Sequence, residues 1–132
     1  MARDIRQDYT INRDDMTGEQ MEMPGATYYW AWHLGEARGD VLAAKDALEQ
    51  TKARVALEIK NRMVAQGRKA TVNDIDAMVA TNEMVITAQA ALVEAERNKG
   101  RMDAALKAVG NKTDMLINMG ADTRAAINRR VS

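Results

Sequence analysis

The sequence predicts an all-α fold, and three observations carry that prediction. Ala and Met are abundant while Pro occurs once among 132 residues, and Ala has the highest helix propensity and Pro the lowest. Apolar residues recur three and four positions apart over two long stretches, which is the period of one helix face. A compact connector that opens on Gly67 and carries the capping candidate Thr71 separates the two stretches, so they are expected to fold back as an antiparallel helical hairpin with a short connecting helix.

Residues 1–23 show neither a helical nor a strand period, and they carry three Arg against six acids. A flexible acidic N-terminal arm is therefore expected over residues 1–25, ended by Pro24-Gly25. The remainder, residues 26–132, is expected to form one helical domain. The first long helix is expected over about residues 26–66. Its stripe is Leu34, Ala37, Val41, Ala44, Leu48, Thr51, Val55, Ile59 and Met63, and Gly67 follows as a C′ glycine would. Thr71 is placed to cap a short helix reaching about Val79, with Asp74 in its first turn. The second long helix is expected from about Asn82 to Gly120, followed by a short basic tail. Its stripe alternates three and four without a break through Val85, Ala88, Leu92, Ala95, Lys99, Met102, Leu106, Val109, Thr113 and Leu116. This is a heptad repeat with the polar Lys99 in its middle. Leu92, Met102, Leu106, Val109 and Leu116 are the expected core or oligomer seam.

Composition restricts the function. There is no cysteine and one histidine, His33, so thiolate metal sites, thiol nucleophiles and imidazole clusters are excluded. The carboxylate pairs Asp14/Asp15 and Asp74/Asp76 lack a calcium-loop pattern, and no Gly-rich phosphate loop occurs. The expectation is a protein that is not an enzyme and uses no cofactor or metal. No stretch approaches the roughly 18 apolar residues of a membrane span, and the N-terminus does not resemble a signal peptide; a soluble, intracellular protein is expected. Aromatics are 4% of the chain, and a thin Ala-rich stripe buries little area per helix. Self-association is expected on that ground.

Charge sums to zero but is uneven: −3 over residues 1–23, +3 over 24–70, −4 over 71–98 and +4 over 99–132. Alternating blocks of this kind suit anion binding and head-to-tail contact between subunits, or a solvated surface with no partner. Lys52, Arg54, Lys60, Arg62, Arg68 and Lys69 form a basic run interrupted by Glu49 and Glu58, which suits sequence-independent binding to phosphates. Lys107, Lys112, Arg124, Arg129 and Arg130 add a second basic set, which the helix macrodipole alone would favour. Tyr28, Tyr29, Trp30 and Trp32 hold four of the five aromatic rings. They read first as packing at the hairpin end or against a neighbouring subunit, and second as a surface for base stacking.

The order Tyr28-Tyr29-Trp30, then Val55-Ala56-Leu57-Glu58-Ile59-Lys60, then Gly67-Arg68-Lys69-Ala70-Thr71 with Ile75 and Val79, resembles the phage recombination mediator family typified by UvsY. Lys112-Thr113-Asp114-Met115-Leu116, with Gly120-Ala121 and Arg124, resembles that family's ending. The resemblance covers roughly residues 26–127. It implies a homo-oligomeric ring of six or seven subunits that binds single-stranded DNA. Such a protein helps a RecA-like recombinase displace single-strand-binding protein, in the cytoplasm of an infected bacterial host. Carried onto this chain, DNA contact falls on Lys60 and Arg62, with Arg54, Arg68 and Lys69 as neighbours. Glu58 stands where relatives with a stronger basic motif have Lys. Two other classes fit the same residues: a phage scaffold or assembly protein that binds only protein, and a small inhibitor of a host protein.

Overall fold

The computed structural model describes residues 3–12 and 14–131, the side chain of Val131 excepted. Among these described residues four helices follow in order: α1 (Ile5–Tyr9), α2 (Met16–Ala65), α3 (Val72–Ala80) and α4 (Glu83–Val131). The protein is all-helical, and its two long helices, α2 and α4, pack on one another. The chain divides into two compact units, one of residues 1–35 and 100–132 and the other of residues 36–99. No helix among the described residues is long and apolar enough to cross a membrane.

The unit of residues 36–99 follows the apolar stripes closely. Val41, Leu48, Val55, Ile59 and Met63 of α2 meet Val79 of α3 and Val85 and Leu92 of α4 in one core. Every stripe residue of α2 from Leu34 to Met63 is buried or half-buried. The chain leaves α2 through Gly67, whose φ of 70° an L side chain would resist. The Gly67 N–H donates to the Val64 carbonyl and the Arg68 N–H to the Met63 carbonyl, at 3.0 and 2.9 Å. This is the Schellman arrangement that satisfies the last carbonyls of a helix. Thr71 caps α3 as expected, its side chain accepting from the Asp74 N–H. Asn82 does the same for α4 by accepting from the Met84 N–H at 2.9 Å.

The other unit departs from expectation at both chain ends. Residues 1–25 are not a flexible arm over their described length, because α1 is capped by Asp4 and α2 already begins at Met16. Asp15 starts α2, its carboxylate accepting from the Gly18 N–H at 3.0 Å. Pro24 lies inside α2, although an interior proline forfeits a backbone hydrogen bond and crowds the preceding turn. Its neighbours Met23 and Ala26 are buried in a core with Trp30, Ala105, Val109 and Leu116, and burial of this kind offsets the local penalty. At the other end α4 continues through Gly120 to Val131. A helical glycine costs about 1 kcal/mol relative to Ala and does not by itself end a helix. Gly120 has no positive φ that would divert the chain.

The seam of α4 also changes phase. Up to Ala95 it follows the heptad, but Lys99 is exposed and Asn98 is half-buried in its place. In the unit that follows, Ala105, Val109, Lys112 and Leu116 are buried, with Met102, Leu106 and Thr113 half-buried. The five seam residues Leu92, Met102, Leu106, Val109 and Leu116 thus pack within the chain's own cores.

Candidate nucleic-acid interface

The five cations marked for DNA contact all belong to the unit of residues 36–99, and all are exposed. Arg54, Lys60 and Arg62 ride on α2, while Arg68 and Lys69 lie in the turn between α2 and α3. None of the five forms an ion pair or side-chain hydrogen bond among the described residues. Lys52, by contrast, pairs with Glu49 at 3.6 Å.

Helix geometry separates these cations. At about 100° per residue, Arg54 and Arg62 are about 80° apart, whereas Lys60 lies about 160° from Arg62 across the exposed face. The basic groups therefore cover a broad outer face rather than one narrow strip. Arg62 borders a cavity of about 460 Å³ with Glu58 and Glu83 on its wall, so a phosphate there would meet two carboxylates. Arg54, Arg68 and Lys69 do not line that cavity.

The aromatic cluster divides between packing and exposure. Trp30 is buried at 7% exposure, and its indole N–H donates to the Asp8 carboxylate at 2.7 Å; a base has no access to it. Tyr29 is half-buried, lies edge-on to Trp30 at 5.0 Å, and accepts from the Arg3 backbone N–H. Tyr28 and Trp32 remain exposed. His33 packs against Trp32 and Tyr29, at 5.0 and 4.3 Å between ring centres.

A charge network ties Arg3, Asp8 and Glu19 into the unit of residues 1–35 and 100–132, and nothing in the apolar periodicity points to it. The Arg3 guanidinium donates twice to Asp8, at 2.9 and 2.8 Å. That hydrogen-bonded guanidinium holds the Asp8 carboxyl below the usual carboxylate range, against the opposing effect of burial, and the Trp30 N–H and the Lys112 charge add to it. Arg3 in turn is raised by the same bond. Lys112, among the most deeply buried side chains, forms an ion pair with Glu19 and donates to the Gln7 carbonyl at 3.2 Å. Both charges read in sequence as surface groups. The available signal was one position away, since Lys112 adjoins the seam residue Thr113.

The same unit carries an apolar groove of about 680 Å³ between α2 and α4, lined by residues including Met23, Tyr28, Leu116, Ile117 and Arg124. Among the described residues, no cluster of three or more His, Asp or Glu side chains could hold a metal ion. Fold and site together define an all-helical protein with free cations on one unit and a buried ionic network with an apolar groove in the other. No protein-family model, curated protein or solved structure matches the chain.

Proposed function

We propose that this protein is a homo-oligomeric single-stranded DNA-binding protein that acts as a phage recombination mediator, helping a RecA-like recombinase load onto strand coated with single-strand-binding protein. The observation that carries the reading is the set of five exposed cations, Arg54, Lys60, Arg62, Arg68 and Lys69, with no acidic partner among the described residues. Free Lys and Arg bind phosphates by releasing counterions, and the binding weakens steeply with salt. A broad, shallow distribution suits a flexible single strand better than the fixed phosphate spacing of a duplex. Repetition of the set around an oligomer would join modest sites into a continuous track. Within the cluster of residues 28–32, Trp32 is open to stack on bases, whereas Trp30 is buried and Tyr28 lines the apolar groove.

The test is fluorescence anisotropy of a labelled oligo-dT titrated at several salt concentrations. Wild type should bind at low salt, and Lys60→Ala/Arg62→Ala should bind more weakly, with the log–log salt slope reduced by roughly 0.7 for each phosphate that is no longer neutralised. Binding by the variant equal to wild type, with the same slope, overturns the assignment of these residues.

A protein-only scaffold is the second reading, favoured by apolar side chains left open on the outer faces of both long helices. Leu42, Leu57 and Val64 of α2 and Ile86 and Val93 of α4 are exposed. No measurable oligonucleotide binding at low salt would select it.

A further inference from the structure

The groove of the first unit ends in an unusual stretch of helix. Every described side chain from residue 121 to residue 130 is exposed, yet α4 runs on through them to Val131. The groove beside it is apolar, with Met23, Tyr28, Leu116 and Ile117 in its walls, and Arg124 is the one charged residue lining it. Arg124 forms no ion pair among the described residues. The complementary occupant is a helix with apolar anchors and flanking acids.

The chain itself contains such a helix in its other unit. Along α4, Ile86, Ala90 and Val93 are exposed and fall on one face, in the i, i+4, i+7 spacing by which a helix reads a groove. Glu83, Glu94 and Glu96 flank them. Glu94 is engaged by Arg97 at 2.8 Å, which leaves Glu83 and Glu96 to face a cation. The acidic helix α3 is a poorer candidate, because its apolar Ile75 and Val79 turn inward.

We infer that the groove around Ile117 and Arg124 receives the Ile86–Val93 face of α4 from a second copy of this chain. The inference rests on the self-association in the proposed function and names its two surfaces. Because groove and face are different patches, the contact either propagates head to tail, as a closed ring or an open filament, or closes when two copies exchange groove and face about a two-fold axis.

Sedimentation velocity on full-length chains tests it. Ile117→Glu spoils the groove, and Ile86→Ser/Val93→Ser spoils the face. Each variant should keep its helical circular dichroism and sediment as a monomer, the contact weakened by roughly a hundredfold. Mixed in equal amounts, the two should form a dimer and nothing larger, since one intact groove then meets one intact face. A wild-type monomer at all concentrations overturns both this contact and the self-association. A wild-type oligomer whose variants also assemble overturns the contact alone. Variants that stay monomeric when mixed overturn the pairing of groove with face. If either variant unfolds, Arg124→Glu and Glu96→Arg, both at exposed positions, serve instead. Each should weaken assembly about tenfold, and the doubly reversed chain should recover it; a double variant no better than the singles refutes the pairing.

Discussion

Replacing Lys112 by Ala should destabilise the protein more than any exposed charge deletion. The Lys112 side chain is 1% exposed and its Glu19 partner 14%, so the pair is held almost wholly out of water. Removing one member of such a pair strands the other, at a cost of about 3–5 kcal/mol. Glu19 keeps some solvent exposure, which argues for the lower end, but the Gln7 carbonyl also loses its donor. With an unfolding entropy of about 2.1 cal/mol/K per residue, a loss of about 3 kcal/mol lowers Tm by about 10 °C. Thermal melts followed by circular dichroism at one fixed protein concentration measure this. The double variant Lys112→Met/Glu19→Met should melt close to wild type, because a packed apolar pair replaces an ionic pair whose desolvation largely cancels its attraction. If Lys112→Ala melts within about 2 °C of wild type, the ammonium is not buried between Glu19 and Gln7 and the reasoning fails.

Asp8 sets an acid-side dependence. Its carboxyl is held below the usual range by Arg3 and Trp30, so its contribution is complete at neutral pH and is lost as pH falls through the folded-state value. Asp8→Asn should therefore lower stability at pH 7 and flatten the decline toward acid, as read from denaturation midpoints across pH 2–7; an unchanged acid slope counts against the buried ion pair. Gly39→Ala and Gly110→Ala should each stabilise by about 0.5–1 kcal/mol, because both sit inside long helices with nothing within 4 Å of an added Cβ; a fall in the midpoint would contradict the open space described. Trp32→Ala should leave the melt nearly unchanged while weakening oligonucleotide binding, whereas Trp30→Ala should cost about 3–5 kcal/mol because it empties part of a packed core. Equal melts for the two would refute the division of the aromatic cluster.

The part of the fold that was legible in the sequence is the part made by apolar side chains at helical spacing. Val41 through Met63, the Gly67 turn and the Thr71 cap follow from residue type and position alone, since burial of a stripe and satisfaction of helix ends are local matters. The N-terminal residues were illegible for a physical reason. Asp8, Glu19 and Lys112 are charged, and pattern reading assigns charged groups to solvent, yet here Lys112 is buried against Glu19 and reaches the carbonyl of Gln7, 105 positions away in sequence. No local rule detects a pairing at that separation. Pro24 and Gly120 misled in the opposite sense: burial of Met23 and Ala26 offsets the cost of Pro24, and a glycine without a positive φ costs about 1 kcal/mol and does not end a helix. The cations of the candidate interface were readable as a set. Their separation around α2 follows from the 3.6-residue turn, and Lys60 and Arg62 prove nearly opposite on the exposed face.

These charges differ in how they answer to salt, and that difference joins the local chemistry to the function. Exposed cations facing phosphates are screened within about 8 Å at physiological ionic strength, so the proposed DNA binding through Arg54, Lys60 and Arg62 should fall steeply as salt rises. The Lys112–Glu19 and Arg3–Asp8 pairs are shielded by the protein around them, and thermal stability should change little over the same range. A docking surface anchored by Ile86, Val93 and Ile117 gains from burial of apolar surface, which salt does not weaken, and Arg124 at its rim contributes only a small screened part. One salt titration read by anisotropy, thermal melting and sedimentation should therefore separate the three, with DNA released first while the assembled helices stay folded and associated. Dissociation of the assembly in step with release of DNA would mean that the strand, rather than the groove, holds the copies together.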